Sequence, residues 1–154
     1  MSRSSDRAAV SAAPPRVLIV RNVALAVLGA LLLLLESMYR GSFEDVVHSW
    51  AGNFVVSFAI YFAILNTTMR WSRPRLYAAG LALLAVEAFE ATNGFGILAN
   101  VYDPADFLVN AIGVGVAVLV DVLTADRLTQ WEKRRQEAAR RAAQAERAAR
   151  RRRR

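Results

Sequence analysis

The stretch VVHSWAGNFVVSFAIYFAIL, residues 46–65, is an apolar run long enough to cross a membrane as a helix. A helix needs about 20 residues to span a hydrocarbon core of roughly 30 Å. Three further apolar runs of similar length lie at residues 17–35, 76–95 and 104–123. Hydrophobic residues make up 55% of the chain and are concentrated in these four runs. The sequence therefore predicts an all-α membrane protein, built as a bundle of four transmembrane helices.

The two ends of the chain have a different composition. Residues 1–16 are small, polar and proline-bearing, which predicts a disordered cytoplasmic N-terminus. The alternative is a signal peptide, because three arginines precede the first apolar run; no A-x-A cleavage motif follows that run, so a spanning helix is preferred. Residues 125–154 are rich in Ala, Arg, Glu and Gln, which predicts a basic helical cytoplasmic tail.

The net charge of +7 is located almost entirely in this tail. Residues 126–154 contain twelve Lys and Arg against four Asp and Glu, whereas residues 1–125 contain eight against nine. Of the three connections between apolar runs, residues 66–75 carry three arginines and no acid, and the other two have more acids than bases. Basic segments stay on the cytoplasmic side. We therefore expect a multi-pass protein of the cytoplasmic membrane, with both termini in the cytoplasm.

The end of the tail predicts a partner. Five consecutive arginines should attract anionic phospholipid, at about 1 kcal/mol for each residue close to the surface; they are Arg150, Arg151, Arg152, Arg153 and Arg154. A nucleic acid offers similar charges, but a basic appendage on a near-neutral membrane body favours the lipid bilayer, and no specific nucleic acid is expected.

Cysteine is absent, which excludes disulfides, zinc–thiolate sites and thiol nucleophiles. A single histidine gives little support for a metal centre. The sequence predicts neither a cofactor nor a bound metal.

The fourth apolar run opens with polar residues on one helical face. Asp103, Asp106, Asn110, Gly113 and Ala117 follow spacings of three and four. Asp103 is a good helix cap before a proline, and Asp106 is close enough to share that role. Asn110 lies beyond the reach of capping. The two small residues allow a neighbouring helix to approach closely, so this face is predicted to point into the bundle.

Other runs carry polar residues near the same outer end. Glu87 and Glu90 share one face of the third run, and Asp45 and His48 share one face of the second, with Gly52 a turn below as a predicted packing position. Ionisable residues inside a membrane are functional-site candidates by default. The predicted ligand-binding cluster consists of Asp45, His48, Glu87, Glu90, Asp103, Asp106 and Asn110.

Two interpretations of this cluster stay open. In the first it is structural: Arg40 and protonated His48 pair with Glu36, Asp45 and Glu90, or the glutamates are neutral through burial, and the polar residues tether helices in lipid. In the second its surplus of acids binds a cation, relays protons or holds the head group of a lipid-linked substrate.

Three motifs taken in order resemble the VanZ-like proteins. They are EDVVHSWAGNFVVSF (44–58), VEAFEATN (86–93) and YDPADFLVNAIGVGVA (102–117). The chain departs from the family pattern at Glu90, where glutamine is commoner, and lacks the arginine often found before the first aspartate of the last motif. A more distant similarity is to the YjdF-like inner-membrane proteins. The resemblance implies a small membrane protein of the bacterial or archaeal cell envelope, with no established reaction.

The leading hypothesis is therefore a non-enzymatic VanZ-like envelope protein whose cluster recognises a cation or a polar head group. One alternative is a membrane enzyme acting on a lipid-linked substrate, with Glu90, Asp103 or Asp106 as the acid or base and His48 as a partner. Another is a scaffold whose tail engages anionic lipid or a cytoplasmic protein.

Overall fold

The computed structural model describes residues 14–44, 47–92 and 103–152. These residues form four α-helices and contain no strand; the helices are α1 (Arg16–Ser37), α2 (Gly52–Thr68), α3 (Pro74–Ala91) and α4 (Pro104–Arg152). A π-helical turn, Val47–Ala51, leads directly into α2. The predictions for residues 1–13, Asp45, residues 93–95, Arg153 and Arg154 lie outside the described residues.

The start of α4 follows from its local sequence. The backbone amide of Ala105 donates a hydrogen bond of 2.9 Å to Oδ1 of Asp103, and Pro104 occupies the first helical position, where no amide hydrogen is needed. The capping prediction for Asp103 is thus confirmed. From Pro104 the helix continues without a break for 49 residues, which corresponds to about 74 Å at 1.5 Å per residue. The fourth apolar run and the tail are one helix.

Helices α1 and α2 pack in a regular antiparallel register. The close approaches along their interface are those of Asn22 with Asn66, Gly29 with Ala59 and Glu36 with Gly52. Each step of seven residues along α1 is matched by a step of seven back along α2, which is the repeat of a coiled-coil seam. At the middle of the seam, a Cβ added to Gly29 would lie 2.6 Å from Cβ of Ala59, so glycine is needed there for the two backbones to meet.

The interior combines an apolar core, which includes Phe62 and Leu65, with many polar residues, and many large apolar side chains lie on the surface. The buried interior contains several polar or charged residues, namely Asn22, Ser57, Thr68, Glu90, Asp106, Asn110 and Asp121. Large apolar side chains instead face outward, as at Leu35 (63% exposed), Leu84 (66%) and Leu108 (64%). By length and composition, Arg16–Ser37 and Pro104–Ala149 could each cross a membrane. Both observations suggest membrane association.

Candidate functional site

The carboxylate of Asp121 joins all four helices. Asp121 is 2% exposed. Its Oδ1 forms an ion pair with Arg21 of α1, and its Oδ2 accepts a hydrogen bond of 2.6 Å from Nε of Arg75 in α3. The hydroxyl of Tyr61 in α2 donates to Oδ2 at 3.5 Å. A buried carboxylate is stable only when its charge is matched, so this residue fixes the relative positions of the helices.

Arg21 has all of its donors satisfied. It donates to Oγ1 of Thr124 at 2.8 Å, and its Nε donates to Oδ1 of Asn22 at 3.0 Å. Asn22 in turn donates to Oδ1 of Asn66 across the α1–α2 seam at 3.1 Å. The guanidinium also lies 5.8 Å from the centre of the Phe62 ring, within the range of a cation–π contact. We call Arg21, Asn22, Tyr61, Asn66, Arg75, Asp121 and Thr124 the Asp121 network.

This network was not predicted from the sequence, although the sequence contains a signal for it. The predicted face of α4 ends at Ala117, yet a further step of four reaches Asp121, an acid within VLVDVLT. Arg21 is likewise the only charged residue within the first apolar run, 17–35. Two opposite charges in apolar runs predict a pair, because neither is readily buried alone.

The predicted outer cluster contains an incompletely bonded amide. Oγ of Ser57 lies 2.6 Å from Oδ1 of Asn110 and 2.7 Å from the carbonyl oxygen of Asn53. Asn110 is 2% exposed, and its buried Nδ2 forms no hydrogen bond with another described residue. Turning the amide would bond Nδ2 to Ser57 and leave Oδ1 unpartnered instead. In either orientation one polar atom of Asn110 lacks a partner within residues 14–44, 47–92 and 103–152, and an unsatisfied buried polar atom costs about 1–3 kcal/mol.

The pairing of Arg75 with Asp121 also sets the register of α3 against α4, and with it the relative depth of two acids of the outer cluster. Helices α3 and α4 are in contact, and Ala82 of α3 shares a core cluster with Val114 of α4. Fifteen residues beyond Arg75 is Glu90, and fifteen residues before Asp121 is Asp106. In antiparallel helices of equal rise these two acids lie at the same depth. Both are buried, so the two helices bring carboxylates to the same end of the bundle as Asn110.

Glu87 lies one turn before Glu90 on α3 and is half-buried. Its Oε2 is buried and has no hydrogen-bond partner in the part of the chain that the structure describes. The cluster therefore holds a second buried polar atom, a carboxyl oxygen, without a described partner.

His48 belongs to a separate set of contacts. Its Nδ1 lies 2.7 Å from Oε1 of Glu36, and its Nε2 lies 3.3 Å from Arg40 and 3.7 Å from Glu44. These contacts tie the π-helical turn before α2 to the end of α1 and the connection that follows it. Within the described residues no hydrogen bond or ion pair joins His48 to the buried acids of α3 and α4.

The predicted packing positions differ in how tightly they are packed. A Cβ added to Gly113 would lie 2.6 Å from the carbonyl oxygen of Phe54, so α4 and α2 meet backbone to backbone there. Ala117, one turn further, is fully buried. A Cβ at Gly52 would make only ordinary contacts, 3.7 Å from Glu36 and from Leu33.

Two other predicted positions lie on the surface. Asp103 is exposed at the start of α4, and Arg151 is exposed near the end of the tail.

In the described stretches no three His, Asp or Glu side chains are grouped closely enough to hold a metal ion.

Comparison with known proteins gives no match: no family model, no curated protein and no solved structure is significantly similar to this chain. The resemblance to the VanZ-like proteins therefore depends on the sequence motifs alone.

Proposed function

We propose that the chain is a four-span membrane protein of VanZ-like type with both ends in the cytoplasm. The burial of polar residues supports this placement, because large apolar side chains of α1, α3 and α4 face outward while several polar ones lie inside. The π-helical turn adds five residues to the 17 of α2, and together they rise roughly 30 Å, the thickness of a hydrocarbon core.

Helix α3 is less apolar than α1 and α2, since it carries Arg75, Glu87 and Glu90. Its place in the bundle still supports a spanning role. Arg75 is paired with Asp121, and Glu90 is buried against the other helices rather than exposed to lipid. Charged residues in membrane helices face the bundle interior and pair with one another, as these residues do.

The function that the site supports best is recognition of a polar head group in the outer half of the membrane. The observation that carries this proposal is the unpartnered polar atom of Asn110, which is buried on the same face of α4 as Asp106. Buried polar atoms are nearly always hydrogen-bonded, and an exception needs an explanation such as a ligand.

The surrounding groups define the chemistry of such a ligand. Glu87, Glu90 and Asp106 supply carboxylates, which accept hydrogen bonds when ionised. A hydroxyl group both donates and accepts, so it satisfies Asn110 in either orientation of the amide. The cluster is therefore complementary to a head group rich in hydroxyl or ammonium hydrogens.

The test compares Asn110→Leu with the full wild-type chain purified in detergent. Leucine has nearly the shape of asparagine but no polar atom. We expect the variant to lose a polar lipid that co-purifies with the wild type, as measured by native mass spectrometry. Its melting temperature should stay the same or rise, because an unsatisfied polar atom has been removed.

Thr67→Val is the matched control, since this exposed threonine of α2 bonds only the carbonyl of Ile64 among the described residues. The control should retain the same lipids as the wild type. A clear fall in the melting temperature of Asn110→Leu with unchanged lipid content would instead make Asn110 a structural residue and refute the proposal.

A further inference from the structure

A cavity of about 770 Å³ opens beside the Asp121 network, at the opposite end of the bundle from Asn110. It lies between the start of α1, the start of α3 and the part of α4 that follows Asp121. Its charged lining consists of four bases and one acid, namely Arg21, Arg73, Arg75, Lys133 and Asp121. Four positive charges against one negative leave an excess of three.

The four bases differ in the donors that they have available. Arg21 is fully engaged with the network. Arg75 uses only Nε on Asp121, and its two terminal nitrogens make no hydrogen bond within the described residues. Arg73 and Lys133 are exposed, and neither forms an ion pair with another described residue. Three cations thus remain for a ligand, one of them held in place by a buried carboxylate.

The remaining walls of the cavity are apolar. They include Leu18 of α1, Leu65 and Met69 at the end of α2, and Leu76 of α3. A small inorganic anion would use the cations and leave these walls uncovered. A molecule that carries both an anionic group and a hydrocarbon part would match the whole lining, and the volume is within the usual range of roughly 300–1,000 Å³ for a ligand pocket.

The position of the cavity along the helices also fits a ligand that has both an anionic group and a hydrocarbon part. Asp121 lies seventeen residues below Pro104 on α4, a rise of about 26 Å. In the four-span placement, on which this inference rests, the network therefore lies near the inner face of the hydrocarbon core, where phosphate head groups are found.

We propose that this cavity binds the phosphate group of an anionic amphiphile from the inner leaflet, with Arg75, Arg73 and Lys133 as the phosphate contacts. Asp121 and Arg21 are positioning residues, because they hold the guanidinium of Arg75 at the cavity wall. The residues of the basic tail that follow Lys133 do not line this cavity and are a separate feature of the surface.

The test uses the full chain in uncharged detergent and three soluble probes: dihexanoyl phosphatidate, dihexanoyl phosphatidylcholine and inorganic phosphate. Binding is measured by isothermal titration calorimetry. The variant Arg73→Gln/Lys133→Gln removes two cavity charges outside the network. The control Arg70→Gln/Arg134→Gln removes two exposed charges that do not line the cavity. We expect the cavity variant to bind phosphatidate at least about tenfold more weakly than the control does, given about 1 kcal/mol for each basic residue near a charged head group.

Equal binding of phosphatidate by the two double variants would overturn the proposal, since bulk charge or the tail would then suffice. Binding of inorganic phosphate as tightly as phosphatidate would overturn the assignment to an amphiphile. Equal binding of phosphatidylcholine would overturn the requirement for an anionic ligand. These measurements need no bilayer and do not involve Asn110, so a failure here is distinguishable from a failure of the proposed function.

Discussion

The Nε atom of Arg75 lies 2.6 Å from Oδ2 of Asp121, which ties the first turn of α3 to the fifth turn of α4. Arg21 from α1 pairs with the other oxygen of the same carboxylate. One acid therefore neutralises two bases from two different helices, and the fold depends on this acid more than on either base.

Replacing Asp121 by asparagine should destabilise the bundle by about 3–5 kcal/mol, because two guanidinium groups lose their counter-charge and that of Arg21 is nine-tenths buried. The free energy of unfolding can be measured by SDS titration in micelles. The control is Asp126→Asn, an exposed acid on the same helix, for which we expect a change within about 0.5 kcal/mol. Equal effects of the two substitutions would contradict the role given to Asp121.

Two glycines on α4 should respond to alanine in opposite ways. Gly113→Ala places a Cβ 2.6 Å from the carbonyl oxygen of Phe54 and should destabilise the bundle by about 1–3 kcal/mol. Gly115 has open space around it, so Gly115→Ala should be neutral or stabilise the helix by up to about 1 kcal/mol. The same unfolding titration measures both. A neutral result at Gly113 would mean that α2 and α4 do not meet at this point.

The absence of cysteine makes the proposed topology easy to test by labelling. Ser42 and Ser72 are exposed and lie in the first and second connections between helices. In spheroplasts, a membrane-impermeant maleimide should label Ser42→Cys but should label Ser72→Cys only after permeabilisation. The wild-type chain is an unlabelled control in each case. Labelling of both single-cysteine variants in intact spheroplasts would refute the four-span arrangement with cytoplasmic ends.

The end of the tail, residues 141–154, should bind anionic lipid without contributing to the bundle. From Arg141 onward every described side chain is exposed. In proteoliposomes, trypsin should remove the tail more slowly when phosphatidylglycerol replaces phosphatidylcholine, and high salt should abolish the difference, because screening weakens surface electrostatics. Deletion of residues 141–154 should leave the unfolding free energy unchanged. Equal cleavage rates in the two lipids would show that the arginines do not contact the membrane surface.

The helices follow from local properties of the sequence. Apolar runs predicted where helices lie, and the Asp103–Pro104 pair predicted where α4 begins, because capping depends on residues that are neighbours in the chain. The continuity of α4 through the end of the apolar run is also local, since no proline or glycine interrupts the residues that follow Gly115.

The contacts between helices could not be read in the same way. Arg21 and Asp121 are separated by 100 positions, and only the packing order of the helices brings them together. His48 was predicted to join the acids of the outer cluster because these residues were expected at a similar depth in the membrane. The structure records its contacts with Glu36, Arg40 and Glu44, because the seven-residue seam places α1 beside α2 at that level.

The role of Ser57 could not be predicted from the hydropathy of the sequence either. A serine within an apolar run does not stand out, yet its hydroxyl is the group that meets Asn110. The amide of Asn110 was recognised because capping does not reach it. Its partner depends on the close approach of α2 and α4 at Gly113, which is a property of two helices and not of either one.

The unbroken course of α4 has a mechanical consequence. Asn110, Asp121 and the arginines of the tail are attached to one helical axis, with no intervening hinge. A twist applied to the tail would turn both buried polar groups through the same angle. The exposed end of α4 is thus mechanically coupled to two of the most buried residues of the protein.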